Sequence, residues 1–150
     1  NHFKDEYQEE VISNAKAFAK ALKEVGMDVA GDPAVLYTET HQVIVNVGYS
    51  KGPEIAKLLE KNNIIVNYQA TPEEEGFTAS GALRLGVSEM TRFGFTEADF
   101  KTVAQFIYDV VKGKYVKEEV KQFRGKFLDL KYCFKEKEFE EYISKLHSLI

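Results

Sequence analysis

The chain has a single cysteine, no long apolar run and no excess of basic charge, and each absence closes off a class of protein. A lone Cys133 excludes an intramolecular disulfide framework, and between Tyr132 and Phe134 it reads as a packed small hydrophobe. Without a long apolar segment no membrane span is predicted, and the polar opening Asn1-His2-Phe3-Lys4-Asp5-Glu6 does not read as a signal peptide, so a cytoplasmic location is expected. A net charge of −4 with interspersed signs offers no basic footprint for nucleic acid. His2, His41 and His147 lie far apart without cysteine or carboxylate partners at ligand spacing, which argues against a metal site. His41, beside a strand, reads as a hydrogen-bonded structural residue. Adjacent side chains in Glu73-Glu74-Glu75 diverge, so that run reads as a solvated acidic turn. Ser80 and Ser88 have no histidine at motif spacing, and no hydrolase triad follows. Nor does any Gly-rich loop precede a helix as a phosphate cradle would require.

What is present is one domain's worth of ordinary globular sequence. The 150 residues are 44% hydrophobic and 29% charged, with no internal repeat and no Gly/Ser-rich linker. Tyr7, Val11, Ala15, Phe18, Leu22 and Val25 recur at three- and four-residue spacing, predicting a helix from about Phe3 to Val25 that Gly26 ends. Ala34 to Tyr37 and Gln42 to Val47 read as two strands of a hairpin turning at Glu39-Thr40. Gly52-Pro53 opens a second helix with Ile55, Leu58 and Leu59 inward, stopped by Asn62-Asn63. A strand from Ile64 to Asn67, a loop from Tyr68 to Gly76 and a strand from Ala82 to Leu85 follow. Thr96-Glu97-Ala98-Asp99 reads as the start of a helix whose core face is Phe100, Val103, Ala104, Ile107 and Val111, ended by Gly113. Two further stripes, Val116-Val120-Phe123-Phe127-Leu130 and Phe139-Tyr142-Ile143-Leu146-Leu149, predict two more helices facing a core or a partner. The sum is an α+β fold, a small sheet with helices packed on one side.

Arg84 is the most informative residue. It sits in the run Ala79-Ser80-Gly81-Ala82-Leu83-Arg84-Leu85-Gly86, an apolar strand bounded by glycines. A guanidinium stays charged and its planar fork matches a carboxylate in bidentate fashion, so Arg84 is a candidate carboxylate anchor. The residues alone leave open a solvated edge arginine or half of an internal ion pair.

The order Ser80-Gly81, Arg84-Leu85-Gly86, Thr91-Arg92 and Gly94-Phe95 resembles the serine hydroxymethyltransferase pattern of Ser-Gly-(Ile/Leu)-Arg-(Leu/Val/Ile)-Gly, then Thr-Arg and Gly-(Phe/Met). The likeness extends through Tyr7-Gln8-Glu9 and Asn14-Ala15-Lys16-Ala17, His41-Gln42-Val43-Ile44-Val45, and Ile64-Ile65-Val66-Asn67 with Pro72. The tail Val120-Lys121-Gln122-Phe123-Arg124, with Phe127 and Lys131-Tyr132-Cys133-Phe134, is most similar to the archaeal branch. It spans nearly all of the chain but only the C-terminal part of the family's.

That resemblance implies the small C-terminal domain of a fold-type I enzyme dependent on pyridoxal phosphate, with residues 1–150 as one domain and the large cofactor-binding domain missing. It implies serine–glycine interconversion with a pterin one-carbon carrier, tetrahydrofolate or a modified archaeal pterin, in an enzyme that is a homodimer at full length. The family's His-Lys motif is absent here, so no residue is assigned a catalytic role and the chain alone is expected to be inactive. Arg84 falls where the family grips the substrate α-carboxylate. Gln69, Phe77 and Ser80 fall near the pterin, Gln69 where many bacterial members carry asparagine, and Ala82 lengthens the run before Arg84 by one residue. The opening on Asn1 instead of methionine fits an excised fragment. The alternatives are a free-standing carboxylate-binding module and an aminotransferase-type relative of the same fold.

Overall fold

The computed structural model describes residues 3–72, 74 and 79–149. Helix α1, Lys4–Glu24, forms on the predicted stripe, burying Val11, Ala15, Phe18 and Leu22, and Gly26 ends it at φ 98°. Its buried polar residue Asn14 donates from Nδ2 to Thr91 Oγ1 at 3.1 Å and to the Phe95 carbonyl at 3.0 Å. The Tyr7 hydroxyl donates to the Ser88 carbonyl at 2.9 Å, so α1 is tied at two levels to the segment that follows the last strand.

Four strands make one antiparallel sheet: β1 Asp28–Val29, β2 Gln42–Asn46, β3 Asn67–Gln69 and β4 Ala82–Gly86. Their spatial order is β1-β2-β4-β3, which places β4 inside the sheet. Alternation then divides the sheet. Val29, Val43, Val45, Leu83 and Leu85 turn inward and are almost completely buried. They share a core with Leu22, with Leu59 of α2 (Gly52–Lys61) and with Ile107 of α4 (Glu97–Val111). At the start of α4 the Asp99 carboxylate accepts from the Thr96 N–H at 2.8 Å and the Thr96 hydroxyl at 2.7 Å, the reach-back that a helix N-terminus favours. Phe95 makes ring contacts with Phe100, Phe123 and Phe127, anchoring α5 (Lys117–Arg124).

Several expectations are corrected. Ala34–Tyr37 is not a strand: Pro33–Val35 forms a 3-10 turn capped by the Asp32 carboxylate on the Ala34 N–H, and Leu36 and Tyr37 both take positive φ. Asp28–Val29 pairs with β2 instead, a stretch too short to show alternation. The strand expected at Ile64–Asn67 begins only at Asn67, because Asn63 turns at φ 63° and leaves Ile65 exposed. In α2 Ile55 and Leu59 face the core as expected and Ala56 joins them, whereas Leu58 faces out. A short helix α3, Ser88–Arg92, and the last helix α6, Glu136–His147, complete the chain. Of the two alternatives for the α6 stripe, a core or a partner, the first does not hold within this chain, since Phe139, Tyr142, Ile143 and Leu146 are exposed. The His41 imidazole is exposed with no hydrogen bond among the described residues, and it is the His41 carbonyl that accepts, from the Val87 N–H. No helix among the described residues is long and apolar enough to cross a membrane, and no metal-holding group of three or more His, Cys, Asp or Glu is found there.

Candidate functional site

Arg84 lies in the middle of β4, exposed on the face opposite the core. Its register partners are Ile44 on β2 and Asn67 on β3, so it is flanked on both sides by strand and is not an edge residue. No carboxylate among the described residues lies within ion-pair distance of its guanidinium. It therefore belongs to an internal strand and has no ion-pair partner among the described residues.

The same face collects polar side chains by alternation. Gln69 pairs with Ala82, Asn46 with Ala82 from the other side, and Gln42 with Gly86. Gln69, one of the residues expected near a pterin, thus shares Arg84's face, displaced along the sheet by one step of the alternation. Asn67, directly opposite Arg84, belongs to the family-like segment Ile64-Ile65-Val66-Asn67, which gives it no place at the site; the pairing of β3 with β4 does. Ser80 is buried two residues before β4, where its carbonyl accepts from the Gly52 N–H at 2.7 Å. Phe77 lies outside the described residues.

Of the acidic turn only Glu74 lies among the described residues, and it is half-buried with its carboxylate engaged: its Oε2 accepts from the Thr71 N–H at 2.7 Å and the Gly81 N–H at 2.8 Å, and its Oε1 from the Ser50 N–H at 3.3 Å. Those amide donors, Thr71 foremost, hold the carboxyl below the usual range, against the opposing pull of desolvation.

A cavity of about 340 Å³ lies between the helices, the Asn63–Val66 segment and the end of β4, lined by Phe18, Ile64, Leu85, Phe100 and Phe123 among others, and Arg84 takes no part in it. The arginine faces outward from a sheet, not into an enclosed pocket. Such a face can grip an anion but needs a second wall to exclude water. Among the side chains placed on it, Asp28, Gln42, Ile44, Asn46, Asn67, Gln69, Ala82 and Arg84, there is no lysine to hold an aldehyde cofactor.

Residues 1–107 match the family model described as serine hydroxymethyltransferase. Similar curated proteins carry that name: the one from Pyrobaculum aerophilum is 44% identical over 138 residues, covering 89% of this chain and 32% of the relative. The one from Staphylothermus marinus is 43% identical over 141 residues, again covering 89% and 32%. The one from Saccharolobus islandicus is 40% identical over 157 residues, covering 99% and 36%. Among solved structures, L-threonine transaldolase from Pseudomonas fluorescens superposes with a TM-score of 0.82 at 34% identity, over 97% of this chain and 34% of that one.

A small antiparallel sheet with helices on its inner face, superposing in this way, is that of the fold-type I pyridoxal-phosphate enzymes. Within that class the chain belongs to the serine hydroxymethyltransferase family, a family of pyridoxal-phosphate-dependent transferases with archaeal members among its near relatives. It spans about a third of the length of the curated relatives it matches.

Proposed function

We propose that this chain is the C-terminal domain of a serine hydroxymethyltransferase-like enzyme, a homodimer at full length, and that its contribution is to grip the α-carboxylate of serine or glycine through Arg84. The observation that carries the reading is a central-strand arginine, exposed on the open face of the sheet, with no carboxylate of its own among the described residues. A cation held by its backbone on both sides, with no internal partner among the described residues, is an anchor prepared for an external anion. The two-point grip fixes the amino acid's Cα bonds in direction, and orientation of that kind lowers a barrier by removing rotational freedom beforehand. Asn67 and Gln69 extend the polar surface beside the arginine. Gln69 is assigned to the one-carbon carrier, tetrahydrofolate or a modified pterin.

The residues here do not fit pyridoxal phosphate itself, since the open face has no lysine. The cofactor is assigned to the rest of the enzyme, and no step is derived through it. A second reading keeps the carboxylate grip but changes the amino acid: the 34% identity to L-threonine transaldolase favours threonine as the hydroxyamino acid.

Kinetics of the complete enzyme test both readings. Because truncating one member of a desolvated charge pair costs on the order of 2–5 kcal/mol, Arg84→Ala should lower kcat/KM for serine by roughly thirty-fold to several thousand-fold. Arg84→Lys keeps the charge but loses the fork, and should fall between. Cofactor affinity should stay near that of the unaltered enzyme. Near-normal kcat/KM in Arg84→Ala would make the arginine structural, and a larger kcat/KM for threonine than for serine would select the second reading.

A further inference from the structure

Glu74 ties together three separate stretches of backbone beside the open face. Its carboxylate accepts from Ser50, in the connection between β2 and α2, from Thr71, just after β3, and from Gly81, the residue before β4. The Gly81 carbonyl is held in turn by the Val47 N–H at 2.8 Å, and the Ser80 carbonyl by the Gly52 N–H at 2.7 Å. Both backbone groups of Gly81 are thus engaged, the N–H by Glu74 and the carbonyl by the neighbouring chain. A Cβ at this position would clash with the Glu74 carboxylate, which would have to move, and would crowd the Gly48 carbonyl oxygen at 3.0 Å.

We propose that Glu74 is a positioning residue for substrate binding, a carboxylate latch that fixes the first residues of β4 and through them the placement of Arg84. This rests on the reading of Arg84 as the carboxylate anchor. Ala82 pairs with Asn46 on one side and Gln69 on the other, so the end of β4 nearest Glu74 is where both neighbouring strands close on it. Arg84 stands two residues further in. Hydrogen bonds to an ionised acceptor are about twice as strong as neutral ones, which makes a carboxylate the fitting group to gather three amides at one point. Without it the Gly81 and Thr71 N–H groups lose their acceptor and that end of β4 can fray. The consequence falls on the amino acid's grip and not on the cofactor.

The test uses the complete enzyme, with serine as the probe, and compares Glu74→Gln, Glu74→Ala, Gly81→Ala and Arg84→Lys. Glu74→Gln is isosteric and keeps one acceptor, and should raise KM for serine about three- to tenfold with kcat within about twofold; Glu74→Ala should exceed tenfold. Gly81→Ala drives the carboxylate out and should behave as Glu74→Ala, and combining the two should be no worse than either alone, because they break one latch. Cofactor affinity should stay unchanged, and amide exchange at Thr71 and Gly81 should speed up. A KM within twofold of the unaltered enzyme in both Glu74 variants, beside an impaired Arg84→Lys, overturns the latch alone. Joint loss of cofactor and activity overturns it too, since that is a general folding defect. A normal Arg84→Lys overturns the reading of the arginine on which the latch depends.

Discussion

Leu83 and Arg84 are neighbours in the chain and opposites in role. Leu83 is fully buried and packs the inner face of the sheet, whereas Arg84 is exposed on the outer face and touches no counter-charge among the described residues. The period of two in a strand makes this separation automatic: one β4 supplies both the core and the proposed anchor, and the packing of one face holds the other face still. The proposed site is thus carried on an open surface by strands and not by loops.

The contrast can be broken from either side. The largest expected effect is on the inner face, where Leu83→Ala should cost about 2–5 kcal/mol of stability by urea denaturation, the usual range for emptying a packed leucine site. On the outer face Arg84→Ala should change stability by no more than about 0.5 kcal/mol, because no internal partner is lost. Comparable losses in the two variants would contradict the division of labour.

Glu74 gives a smaller effect that sharpens the same comparison. Its carboxyl is held below its ordinary value of 4.5 by the amides it accepts from. A carboxylate that titrates lower in the folded than in the unfolded chain stabilises the fold above the unfolded value, and that contribution is lost as pH falls through the folded one. The folded chain should therefore lose stability below about pH 4.5, and Glu74→Ala should flatten that acid limb relative to the unaltered chain. An acid limb of the same steepness in both would show that other carboxylates carry it.

Much of the fold is legible in the sequence, and the exceptions have physical reasons. Helices α1 and α4 are plain because long apolar stripes coincide with end signals, Gly26 for one and Thr96 with Asp99 for the other. The misplaced hairpin is a local matter: Ala34–Leu36 is as apolar as a strand, but Pro33 and two positive-φ residues coil it, and the preceding strand that pairs with β2, on the side away from β4, is only two residues long. The α6 stripe shows how far periodicity reaches. It marks one apolar face on Glu136–His147 correctly, yet says nothing about what that face meets, and in the folded chain it is exposed. At the site, Arg84 stands out in the sequence through its glycine-bounded strand and its family motif. Asn67 and Glu74 do not, because one depends on strand register and the other on three amides distant in sequence from each other. Three adjacent glutamates look solvated until the backbone N–H groups around the middle one are known.

The most direct test of the central claim varies the substrate instead of the protein. Serine and serine amide differ at the carboxylate, the group assigned to Arg84, so their ratio of kcat/KM isolates the grip. In the complete unaltered enzyme the ratio should favour serine by on the order of a hundredfold or more, and in Arg84→Ala it should collapse to within a few-fold of one. A ratio that survives the loss of Arg84 undiminished would contradict the account, because the carboxylate would then be held by another group.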